Sequence, residues 1–182
     1  MRRLPIIFVL ALGLTLVTAQ ASLADSPHFK KGGEPTCTIT PQSASSDSVT
    51  CTASLAGLGN QDVLVTTSVS GFAVYQCQNA GGNIAPGQNK VLIGPATSST
   101  SIPASQIKNG NLTFTTNPAV LTAPTTVSAA QAGCPNNNWT GVNPVLTVTS
   151  ISLTIQQPPG TTIFSCSTSN PNGLSGTVKL TC

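Results

Sequence analysis

Thr36-Cys37-Thr38-Ile39-Thr40 and, after a short polar stretch, Val49-Thr50-Cys51-Thr52-Ala53-Ser54-Leu55 alternate between apolar and hydroxyl side chains. Side chains of period two stand on opposite faces of a strand. Each run therefore offers one face to a core and a Thr- and Ser-rich face to water. Thr and Val are β-branched and fit a pleated surface better than a helix. The same period returns at Leu112 and Phe114 among Asn111, Thr113 and Thr115. It returns again at Val178, Leu180 and Cys182 among Thr177, Lys179 and Thr181. Across residues 145–155 the phase changes: Leu146 and Val148 share one parity, and Ile151, Leu153 and Ile155 share the other. A bulge near Thr149 or Ser150 would let one long strand serve one core throughout; the alternative is a strand that crosses between sheets.

Turn chemistry punctuates these runs at Gly57-Leu58-Gly59-Asn60, Gly81-Gly82-Asn83, Gln157-Pro158-Pro159-Gly160 and Asn170-Pro171-Asn172-Gly173. Strands are expected near 35–41, 47–55, 62–69, 72–78, 89–93, 111–116, 119–128, 144–156, 161–167 and 176–182. No window longer than a turn has helical periodicity. Short strands at this spacing predict an all-β fold, an immunoglobulin-like two-sheet antiparallel β-sandwich stapled by disulfides.

The first residues read as an export signal. Arg2 and Arg3 form a basic start, residues 6–17 an apolar run, and Ser22 and Ala24 a small-residue cleavage site, with an earlier site at Ala19 and Ala21. The apolar run is too short to span a bilayer, which needs roughly 20 helical residues. The expected organisation is a cleaved signal over 1–24, a loose lead over 25–34 and a single sandwich domain over 35–182. About 158 residues remain after cleavage, enough for one domain with a real core. The expected product is secreted and extracellular.

Charged residues make up 6% of the chain, against roughly a quarter in ordinary domains. Beyond the signal, Lys30, Lys31, Lys90, Lys108 and Lys179 stand against Asp25, Glu34, Asp47 and Asp62. No cluster of Lys or Arg offers a phosphate-binding stripe, so nucleic acid and, after cleavage, membrane are not expected partners. Ser, Thr, Asn and Gln must wet the surface instead.

The six cysteines are Cys37, Cys51, Cys77, Cys134, Cys166 and Cys182, and none forms a C-x-x-C. An even count in an exported chain indicates disulfides, with no zinc knuckle or redox motif. Six cysteines allow 15 connectivities. Cys37 and Cys51 would meet if their strands form a hairpin around residues 43–46. Cys77 follows a strand and Cys134 lies in an Asn- and Gly-rich loop, which suits a longer bridge. Cys166 and Cys182 share inward parity in the last two strands. Their pairing requires a looser loop than a tight turn at residues 170–173.

Gly57-Leu58-Gly59-Asn60, Cys77-Gln78-Asn79-Ala80-Gly81-Gly82 and Asn89-Lys90 resemble the G-L-G-N, C-x-N-x-G-G and N-K motifs of an uncharacterised family of small exported bacterial proteins. Ser26-Pro27-His28-Phe29 is similar to that family's mature start. The resemblance implies an exported bacterial β-sandwich, with Cys77 and Cys134 matching the family's usual pair and the other four cysteines as additions. It carries over no catalytic residue.

Catalytic chemistry finds little material. His28 is the one histidine and falls in the expected lead, and no G-x-S-x-G elbow exists to serve a hydrolase. Paired carboxylates for glycoside cleavage would have to come from four acids, of which Asp47 is expected in a turn and Asp25 and Glu34 in the lead. Asn60 and Asp62 with loop carbonyls would make half a calcium site; turn capping by Asn60 and a solvated Asp62 is the plainer reading. No cofactor or metal is expected. Asn138-Trp139-Thr140 and Asn111-Leu112-Thr113 are sequons that matter only in a glycosylating host. Trp139, with Asn137 and Asn138 beside it, offers an indole and amides for stacking on a sugar ring; the alternative is that it covers the end of the core. Tyr75 reads as cross-strand packing. The sequence therefore predicts a non-enzymatic secreted domain with a structural, adhesive or surface-interaction role, its partner a surface polysaccharide or a protein. A carbohydrate- or cell-wall-binding module using Trp139 is the second reading, and a small hydrolase a distant third.

Overall fold

A computed structural model describes residues 26–182. The signal expected over 1–24 lies outside the described residues. The chain forms two antiparallel sheets around one hydrophobic cluster. In the first sheet, β3 (Ser46–Ala56) is the hub. It pairs with β1 (His28–Phe29), β2 (Thr36–Ser43), β6 (Leu112–Thr115) and β7 (Ala119–Thr122), and β11 (Gly176–Lys179) adds to β2. The second sheet runs β10 (Thr162–Ser169), β9 (Trp139–Gln156), β4 (Val63–Asn79), β5 (Ile84–Ile102), with β8 (Val127–Ser128) on β9. This is the two-sheet antiparallel sandwich that the alternation predicts.

The inward parity is apolar on both sheets. Val49 and Leu55 of β3 and Leu121 of β7 join Val65 and Val69 of β4 and Ile151 and Leu153 of β9 in the cluster, all essentially without solvent exposure. Fully burying each such side chain contributes roughly 1.5–3 kcal/mol. The outward parity carries hydroxyls that bond across strands: Thr36 to Thr52, Thr38 to Thr177, Ser54 to Thr113, Ser46 to Thr122 and Thr66 to Ser99. These pairs let uncharged strands face water while remaining locked in register.

The phase change in β9 is a bulge. Ser150 pairs with Ser70 and Val148 with Gly71, leaving Thr149 as the extra residue. The strand stays in one sheet, so the crossing alternative is excluded. The strands expected at 62–69 and 72–78 are a single β4 that passes through register shifts at Val69/Gly71 and Val74/Gln76. The strand expected at 89–93 is part of a much longer β5.

All six cysteines are paired: Cys37–Cys51, Cys77–Cys134 and Cys166–Cys182. Cys37 and Cys51 stand opposite each other across the β2–β3 hairpin. Cys77 lies within β4, and Cys134 follows the one-turn helix α1 (Ala129–Ala132), whose Ser128 and Gln131 form a capping box. The last bridge forms in a different way from the shared inward parity expected. Beyond β10 the chain crosses to the first sheet as β11, then returns, and Thr181 bridges Ser167. Cys182 reaches Cys166 from an exposed position while Cys166 is buried. Among the described residues, no helix is long and apolar enough to cross a membrane.

The segment expected as a loose lead is tied down over 26–34. The Lys30 N–H donates to Ser54 O, and the Ser54 N–H donates to Gly33 O, each at 2.9 Å. Phe29 packs on Phe164 with ring centroids 4.4 Å apart. An aromatic at the second position of β1 anchors the segment in a way its polar neighbours conceal.

Candidate functional site

The β2–β3 hairpin turns at Ala44 and Ser45 and leans on the rest of the sandwich through its own backbone. Ala44 O accepts the Leu146 N–H of β9, and Ser45 O accepts the Ala123 N–H after β7, each at 2.8 Å. Two open grooves meet here, both bordered by Ser43, Ala44 and Val145.

The larger groove, about 730 Å³, is mostly apolar. Val74 of β4, Ile84 of β5 and Val145 of β9 line it and keep 37%, 48% and 58% of their surface exposed. Its shape depends on local backbone irregularity. At the Val74/Gln76 shift, β4 departs from regular pairing with both neighbours. Asn143 takes a left-handed conformation, φ 50°, and its Nδ2 donates to Gln76 Oε1 at 2.9 Å. Asparagine tolerates that conformation better than most residues. Gly87 lets β5 pass close to β4, since a Cβ there would stand 2.5 Å from Tyr75 O. Tyr75, on the inward parity, is 1% exposed and its hydroxyl donates to Pro124 O at 2.9 Å. Burial pushes its phenol pKa upward. Tyr75 thus has the packing role read from the sequence.

The smaller groove, about 400 Å³, lies between the hairpin, β9 and the turn leading to β11. Asp47 lines it. The turn expected around Asp47 is in fact β3, where Asp47 pairs with Pro41 on β2 and Leu121 on β7. Its parity is that of Val49 and Cys51, so it points inward and is 9% exposed. Burial raises its carboxyl pKa, and that is the one influence moving it.

Of the residues singled out from the sequence, Tyr75 lines the larger groove and Asp47 the smaller, while Trp139, Asn137, Asn138, His28 and Asp62 line neither. Trp139 opens β9 opposite Asn79, is half-buried and packs against the core cluster. Asn137 and Asn138 remain exposed beside it, and the Asn138 N–H donates to Asn136 Oδ1. Trp139, Asn137 and Asn138 line neither cavity described above. His28 belongs to β1, with its Nδ1 2.9 Å from Ser26 O. Asp62 caps the turn at Ala104–Gln106 by accepting the Ala104 N–H at 2.8 Å. The loop beside it is held by the buried Gln157, whose Nε2 donates to Gly59 O and Gln61 O.

Sequence reasoning missed Val74, Ile84 and Val145, and it placed the candidate acid Asp47 in a turn. Two signals were present. Val145 stands on the outward side of β9, which Thr147, Ser150, Ser152 and Thr154 otherwise fill with hydroxyls, and Asp47 shares the parity of Val49 and Cys51. No protein-family model matches the chain, and no curated protein is significantly similar to it. The fold and the grooves therefore define a class only: a disulfide-stapled β-sandwich with a cleft at one hairpin end.

Proposed function

We propose that this protein is an exported, non-enzymatic binding domain that makes contact with a surface or partner through the hairpin end of its sandwich. The observation carrying this reading is the gathering of Val74, Ile84 and Val145, three exposed large apolar side chains, around one groove. Concave apolar surface with a few placed amides is the usual form of a binding site. Three disulfides suit an oxidising compartment, and outward hydroxyls keep the remaining surface wet without charge. The resemblance to exported bacterial sandwiches supports the same compartment.

The test is retention of the oxidised protein on insoluble chitin, cellulose and peptidoglycan, and on an immobilised array of extended apolar peptides. Saturable retention on one of these, lost in Val145→Glu with the melting temperature preserved, is expected. Retention nowhere, or retention indifferent to Val145→Glu, overturns the reading. The second reading, a polysaccharide-binding module, is favoured by the exposed amides of Asn137 and Asn138 beside a half-buried indole. It predicts that Trp139→Ala, and not Val145→Glu, abolishes pelleting with a polymer.

A further inference from the structure

Asp47 is set in an unusual electrostatic position. It is about nine-tenths buried, and burial alone displaces its pKa, upward, with no donor or cation acting against that displacement. Among the described residues it forms no hydrogen bond or ion pair through its carboxylate. No other titratable side chain lines the groove: its wall is apolar at Ile39, Pro41, Val145 and Leu174, and neutral where Asn172 and Ser175 contribute. Buried carboxylates are ordinarily paired or hydrogen-bonded, because an ionised oxygen without partners loses hydration and gains nothing in return. Among the described residues Thr67 Oγ1 is the one fully buried polar side-chain atom without a partner, so the Asp47 oxygens keep their contact with water at the mouth of the groove.

An ammonium group is suited to replace that water. It supplies a full opposite charge and three N–H donors, and its bonds to a carboxylate are among the stronger hydrogen bonds. The apolar wall beside the carboxylate is suited to an aliphatic stem, since each buried CH₂ contributes about 0.8 kcal/mol. A hard divalent cation fits poorly, because it seeks several oxygen ligands with more than one carboxylate in most sites. We propose that the smaller groove binds a primary ammonium group on a short aliphatic stem, with Asp47 as its counter-ion. The same chemistry is presented by a free alkylamine and by a lysine side chain of another protein. The inference does not rest on the apolar groove and survives if that groove binds nothing.

The experiment follows the methyl resonances of Ile39, Val145, Val148 and Leu174 and the side-chain carboxyl carbon of Asp47 in the oxidised protein. Three probes are titrated near pH 7: n-butylammonium, 1-butanol and the peptide N-acetyl-Gly-Lys-Gly-amide. The expected result is saturable shifts confined to this groove with n-butylammonium or the peptide, at least tenfold tighter than with 1-butanol. The midpoint of the Asp47 carboxyl titration moves to lower pH at saturation, because a bound cation favours the ionised form. Asp47→Asn weakens ammonium binding at least tenfold while its other methyl resonances stay in place. Tighter binding of the peptide identifies a protein lysine as the source, and equal or tighter binding of n-butylammonium identifies a small amine. The absence of saturable shifts, equal binding of 1-butanol, or undiminished binding by Asp47→Asn overturns the proposal. The comparison of n-butylammonium with 1-butanol needs no variant, so a folding failure in Asp47→Asn leaves the test intact.

Discussion

Thr67 stands on the inward parity of β4 with no solvent exposure, and its Oγ1 has no hydrogen-bond partner. A buried hydroxyl without a partner costs about 1–3 kcal/mol, and a Val of the same shape carries no such group. Thr67→Val is therefore expected to stabilise the fold by about 1 kcal/mol, read as a higher urea midpoint at an unchanged slope. Asp47 has the opposite chemistry and a pH dependence. Its raised folded-state pKa means that the native protein holds this proton more tightly than the unfolded chain. Stability is then fully present below the unfolded carboxyl value, about 3.9, and declines as pH rises from there through the folded value. Asp47→Asn removes that decline. Its melting temperature relative to the parent should rise between pH 3 and pH 7, and a constant difference across that window would contradict the burial assigned to Asp47.

Strands β4 and β9 depend on each other most closely at Gly71. A Cβ at Gly71 would lie 2.1 Å from Thr147 O and 3.1 Å from the Val148 Cα, immediately beside the Thr149 bulge. Both obstacles are backbone in the middle of a sheet and cannot rotate aside. Gly71→Ala is expected to cost about 3 kcal/mol, measured by urea unfolding, and a loss below about 1 kcal/mol would show that the two strands shift apart easily. The bulge itself was legible, because a change of parity between Val148 and Ile151 leaves few alternatives. The length of β5 was not. It is an edge strand, largely exposed; Ile93 and Ile102 reach the core, but Thr97, Ser98, Ser99, Thr100 and Ser101 between them carry no apolar alternation. Its prolines at Pro86 and Pro95 also read as breakers, although an edge strand tolerates them. The grooves were concealed for a related reason. Val74 and Val145 are adjacent only through the β4–β9 register, which no local pattern in the sequence specifies.

The assembled molecule joins two sheets with hydroxyl-rich, sparsely charged outer faces to one apolar interior, with covalent links at three places. One link closes the β2–β3 hairpin, one joins β4 to the segment after α1, and one ties the C-terminus back to β10. The pairs are 14, 57 and 16 residues apart in sequence. On a chain-entropy model each restricts the unfolded chain by about 3–4 kcal/mol, most for the longest loop. With 6% charged residues the molecule has few ion pairs to draw on, so the oxidised framework and the packed core carry its stability. That framework is central to the fold, to the placement of the hairpin beside β9 and to the oxidising compartment proposed for the protein. Its most direct test is peptic digestion of the native protein under non-reducing conditions at acid pH, followed by mass spectrometry of the linked peptides. The predicted result is three linkages, Cys37–Cys51, Cys77–Cys134 and Cys166–Cys182, with no free thiol. Free cysteines, or a linkage joining the hairpin to either of the other pairs, would contradict it.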